Sequence, residues 1–193
     1  MAVKHCVDCQ AFEIPVMNSR DWYNIKFLES ASNVRRTLKK ATGRLPSATI
    51  ASEIGVCIEQ GRSFFELALS APLHIRPLQL YYGVLSFAKA VIIARTYDSI
   101  ATIPQTHGLS DISEPTGALT ELRLKVLDRG VFQRFSEVVG TMGCIRYYAP
   151  FAMQKRVEKP FDEPNKLSEK KISLKDILAR TPTLDKLFKK SLF

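Results

Sequence analysis

The stretch APLHIRPLQLYYGVLSFAKAVIIAR, Ala71–Arg95, decides the fold. It is the least polar part of the chain, yet it keeps His74, Arg76, Gln79, Ser86 and Lys89. At about 100° per residue, Leu80, Val84, Phe87 and Val91 share one face of a helix. Tyr81, Leu85, Ala88 and Ile92 fill the adjoining face. Arg76, Gln79, Gly83, Ser86 and Ala90 line a third stripe, with Lys89 at its edge. Pro77 suits the first turn, where its missing N–H is no loss. A helix apolar over most of its circumference is expected in the middle of a bundle. Its small and polar stripe is then either a close helix–helix contact or the wall of a site, and His74 and Arg76 mark the end where a site would sit.

The preceding segments read as helices too. Ser19 and Asp21 open one that carries Trp22, Ile25 and Leu28. SASNVRRTLKKATG restarts as a basic helix closed by Gly43. Ile50, Ile54, Cys57, Ile58, Phe65 and Leu69 recur at helical spacing after Pro46 and Ser47, and Pro72 ends that run. Residues 98–118, punctuated by Pro104, Gly108, Pro115 and Gly117, are expected as a long loop containing THGLSD. ELRLKVLD alternates as a strand does, VFQRFSEVVG follows as a short helix, and CIRYYA reads as a second short strand or an extended segment.

The expected architecture is therefore mainly α: a helical bundle with a small β-hairpin insertion and a basic helical C-terminal tail. Its expected divisions are an irregular segment over 1–18, a helical domain over 19–152, a linker over 153–172 and the tail over 173–193.

The chain of 193 residues carries a net charge of +9, and residues 155–193 hold 11 Lys and Arg against 6 Asp and Glu. Such a balance attracts nucleic acid or acidic partners. Arg35, Arg36, Lys39 and Lys40 line one side of the second helix and are the candidate contacts to a phosphate backbone. No aromatic residues interleave with them as a stacking platform requires. Four cysteines in a chain of this length do not read as a disulfide framework. With no apolar leader and Lys89 breaking the longest apolar run, a cytoplasmic location and no membrane contact are expected.

Few motifs carry chemistry. His5, Cys6 and Cys9 are candidate metal ligands, but a closed site needs a fourth and no second CxxC exists, so free thiols and no cofactor are expected. The chain has no P-loop, no GxGxxG and no GxSxG elbow. That argues against a conventional kinase, dehydrogenase or hydrolase. Arg76 reads either as an anion ligand at a helix N-terminus or as the partner of Glu59 or Glu66. His107 reads either as a catalytic loop histidine or as a structural one.

WYNIKFLESASNVRRTL, CIEQGRSFFELALSAPLHIRPLQLYYGVLSFAKAVIIAR, HGLSD and GVFQRF together resemble the bacterial YaaC-like family. The helical part also resembles the HEPN superfamily of small bundles, which includes RNA-cleaving toxins and antiviral effectors. That second resemblance implies a metal-independent endoribonuclease with His107 as acid or base and Arg76 or Arg95 stabilising charge, in a site shared across subunits. HEPN ribonucleases place a histidine four to six residues after an arginine. After Arg95 those places hold Ser99, Ile100 and Ala101, and His107 follows later. The favoured expectation is accordingly an oligomeric interaction module, binding protein, RNA or DNA within a bacterial defence or stress complex.

Overall fold

The computed structural model describes residues 19–115, 121–140, 144–148, 156–160 and 170–180. Four helices come first: α1 Ser19–Phe27, α2 Ala31–Thr42, α3 Ala48–Ser70 and α4 Arg76–Thr96. Gly43 stops α2 in the left-handed conformation, at φ 75°, and its N–H donates to the Lys39 carbonyl. Ser47 caps α3 by accepting the Ile50 N–H at 3.1 Å. Pro77 lies in the first turn of α4, as expected.

α3 and α4 form an antiparallel hairpin joined by Ala71–Ile75, and α1 and α2 pack against α3. The core gathers where these helices meet α5, Val131–Gly140. Val34, Ile54, Cys57, Ile58, Ile92, Ile93 and Val131 are all buried there. Complete burial of Ile92 and Ile93 contributes about 1.5–3 kcal/mol each.

The β content is small. A three-stranded antiparallel sheet runs in the order β1 (Leu109–Asp111), β2 (Arg123–Val126), β5 (Lys171–Ser173). Leu109 pairs with Val126 and Leu124 with Ile172. β3 (Cys144–Tyr148) and β4 (Arg156–Pro160) form a separate hairpin. α6, Leu174–Arg180, follows β5 directly. The mainly helical bundle with a small β insertion is thus the observed fold.

Three details differ from expectation. The long loop is shorter, because a 3₁₀ turn at Ile100–Thr102 and strand β1 occupy part of it. The stretch expected as a linker over 153–172 contains β4 and the start of β5. Strand pairing supplied what local composition could not announce, since a short polar strand looks like a loop until its partner is known. The third difference concerns α4, which packs against α3 and α5 yet leaves Leu78, Val84 and Val91 partly in solvent. The expected segment 1–18, with His5, Cys6 and Cys9, lies outside the described residues, as does the tail beyond Arg180.

Candidate functional site

The faces of α4 settle which stripe packs. The small and polar stripe packs inward: Gly83, Ser86 and Ala90 are buried, and toward the C-terminal end Ile92 and Ile93 are buried with them. A Cβ on Gly61 of α3 would stand 2.8 Å from the Phe87 ring, and one on Gly83 would stand 2.7 Å from the Phe65 ring. Ser86 Oγ donates to Gln60 Oε1 across the same contact at 3.2 Å. Small residues let the backbones approach closely, and the buried hydroxyl finds its partner.

The apolar faces of α4 are left partly in solvent. Leu78 is 55 % exposed, Val84 58 % and Val91 36 %. Phe87 and Val91 form a ridge shared by two grooves. On one side lies a hollow of about 290 Å³ lined by Ile25, Leu28, Val34, Leu38, Ile54 and Ile58 from α1, α2 and α3. On the other lies one of about 350 Å³ lined by Tyr81, Leu85, Ala88, Leu109, Val131 and Phe135. No Asp, Glu, Lys or Arg lines either groove. This ridge with its two grooves was not legible as a surface in the sequence, which shows that a face is apolar but not whether anything covers it.

His107 stands at the second groove. Its ring meets Tyr81 edge-on, centroids 5.3 Å apart and planes at 82°. Its backbone is locked: the His107 carbonyl accepts the Phe132 N–H at 3.0 Å and the Thr106 carbonyl accepts the Val131 N–H at 2.9 Å. Those N–H groups open α5, so the loop acts as its N-terminal cap. Gly108, at φ 83°, and Gly130, at φ 150°, press together beneath it with no room for a side chain on Gly130. Desolvation pushes the Tyr81 phenol above its ordinary range, with the neighbouring Tyr82 adding to the rise.

The two candidate arginines lie at opposite ends of α4. Arg76 is the first and Arg95 the next-to-last residue of the 21-residue α4. About 28 Å of helix axis therefore separates them. Tyr81, which carries the histidine, lies about 21 Å of helix short of Arg95. Within one chain, then, Arg95 and His107 do not assemble. The pairing of Arg76 with Glu59 or Glu66 is not formed either. Arg76 Nη2 donates to the Ala71 carbonyl at 3.2 Å, and its buried Nε finds no partner. Glu66 is taken by Arg62, at 2.7 Å, and Arg62 also binds Glu29 of α1. These two carboxylates raise the Arg62 pKa, Glu29 most strongly. His74 is exposed at the helix corner.

The four cations of α2 divide. Arg35 Nε donates to the Pro46 carbonyl at 3.1 Å. Arg36 binds Asn33 Oδ1 at 3.0 Å and lies 5.5 Å from the centre of the Phe27 ring. Lys39 and Lys40 are exposed. Arg35 thus has structural work within the bundle, and Arg36, Lys39 and Lys40 stay at the surface. Among the described residues no group of three or more His, Cys, Asp or Glu side chains is placed to hold a metal.

Sequence reasoning missed Glu53. Its carboxylate accepts from Ser99 Oγ and the Ile100 N–H, both at 2.8 Å, and so pins the turn that leaves α4. A lone Glu on a helix gives no signal of a partner so far along the chain. α4 also passes a test that its reading from sequence did not expect. By length and composition it is apolar enough to cross a membrane, with a mean hydropathy of 1.3 over 18 residues, a third of them buried in the bundle.

Fold and face together define a small helical bundle in which α4 has a packed stripe and a partly open ridge. The chain belongs to the YaaC-like family: the sequence model of the YaaC-like protein matches residues 24–192. Searches of the curated proteins and of the solved structures find no match.

Proposed function

We propose that this chain is an interaction module that docks a protein partner on the α4 ridge. The observation that carries this reading is the exposure of Val84 and Val91 between two apolar, uncharged grooves. Large continuous apolar surface is unfavourable in water and marks docking sites on soluble domains. An uncharged face gives a phosphate backbone nothing to hold. The cations of α2 support a nucleic-acid reading less well, because Arg35 is held by the Pro46 carbonyl and the exposed Arg36 by Asn33. A module of this kind would serve a larger assembly, such as a defence or stress complex. The endoribonuclease reading, with its HEPN resemblance, draws no support from the positions of Arg95 and His107.

The test is a photocrosslinking amino acid placed at Val84 in the full chain, with a second placed at the exposed Val56 of α3. Protein adducts from position 84 and not from 56 are the expected result. Adducts to RNA, or no adduct at 84, would overturn the reading.

A further inference from the structure

The ridge has a spacing of its own. Leu80, Val84, Phe87, Val91 and Ala94 follow one another at intervals of four, three, four and three. That is the alternation of a coiled-coil seam, in which each apolar knob enters a hole on a facing helix. α3 packs on the other stripe of α4 and reaches Phe87 from one side, and Ala94 leans on the core, while Val84 and Val91 keep the open edge of the seam in solvent. We infer that the seam is completed by the α4 of a second copy of this chain, the two helices running antiparallel about a two-fold axis. The inference rests on the reading of α4 as a docking face and names the occupant.

Three observations select a second copy. First, the seam is self-complementary. With the axis between Leu85 and Ser86, Leu80 faces Val91 of the second copy and Val84 faces its Phe87, giving apolar layers throughout. A two-fold interface requires the same patch on both partners. Second, charge argues against an electrostatically chosen partner. The chain carries +9, yet neither groove is lined by a charged side chain. Two basic chains meet at least cost across an uncharged patch, and an acidic partner would find no cation there. Third, the area suits a small dimer. α4 is about 31 Å long, and neighbouring helix axes lie about 8–10 Å to each side. The strip is about 560 Å² in plan and larger along its relief, against the roughly 800 Å² per partner of a standard interface.

The experiment is sedimentation equilibrium on the full chain over a wide concentration range. Wild type is expected to show a monomer–dimer equilibrium. Val84→Glu and Val84→Lys are each expected to be monomers with unchanged circular dichroism, since Val84 is mostly in solvent. The two Val84 side chains lie near the axis, so mixing the variants restores dimer by pairing opposite charges. Leu73→Glu, at a position 78 % exposed away from the seam, is expected to dimerise as wild type does. A wild type that stays monomeric overturns the inference, as does a dimer that Val84→Glu leaves intact. The crosslinker at Val84 separates the two proposals. With a monomeric wild type, adducts to another protein keep the docking reading and change the occupant. Adducts within the chain to residues 181–193 assign the face to its own C-terminal segment, and no adduct removes both proposals.

Discussion

Gly83 of α4 lies so close to Phe65 of α3 that an added Cβ would stand 2.7 Å from the ring and 3.3 Å from the Gly61 carbonyl oxygen. Phe65 cannot easily retreat, because it stacks on Phe87 at 5.7 Å and tilts against Trp22 at 6.1 Å. Gly83→Val should therefore push the helices apart and cost about 1–3 kcal/mol, read as a lower urea midpoint. A midpoint equal to wild type would show that the hairpin is loose here.

Glu53 holds the turn after α4 with one carboxylate on two donors. Glu53→Ala should cost about 1–3 kcal/mol, because the Ile100 N–H loses its acceptor in a half-buried place. Glu53→Gln keeps one acceptor oxygen and should lose less. Thermal melts of the two variants decide it: equal losses would mean that the charge, and not the hydrogen bonds, fixes the turn.

Where local chemistry decides a feature, the sequence was legible. Gly43 ended α2, Pro77 sat in the first turn of α4, and the alternation around Leu124 made a strand. The stripe of Gly83, Ser86 and Ala90 was also visible, with packing one of its two readings. What could not be read was which neighbour covers each face. Periodicity ranks the faces of α4 by polarity, yet the smallest stripe took the contact with α3 because close backbone approach favours small residues. Val84 and Val91 of the apolar ridge stayed outside. The same limit hid Glu53 and the capping role of the His107 carbonyl, both contacts between residues far apart in the chain.

Cys57 is buried on α3, and burial pushes its thiol above the ordinary range. Lys89 opposes that rise and Glu53 adds to it. A raised native pKa means that the stabilising contribution is complete below the unfolded value, near about pH 8.5. It is lost as pH rises through the native value. The stability difference between wild type and Cys57→Ala should be constant up to about pH 8 and shrink above it. Urea denaturation across that range measures it, and a difference flat to pH 10 would mean that the thiol ionises equally in both states. Labelling of Cys57 by a thiol reagent should likewise track unfolding.

The His107 loop gives the sharpest contrast between side chain and backbone. The histidine's hydrogen bonds to α5 run through its carbonyl, which any residue supplies, and its exposed ring adds the edge contact to Tyr81. His107→Ala should cost only about 0.5–1 kcal/mol. Gly130→Ala should cost more, about 2–3 kcal/mol, because its φ of 150° and the Gly108 backbone leave a Cβ nowhere to go. Melting temperatures of the two variants check the order. Metal-free RNA incubation with wild type and His107→Ala should show no cleavage by either, since Arg95 lies about 21 Å of helix from Tyr81. Cleavage by wild type, abolished in a His107→Ala variant that melts normally, would restore a catalytic histidine, with Arg76 of the same chain or Arg95 of a second copy as its arginine.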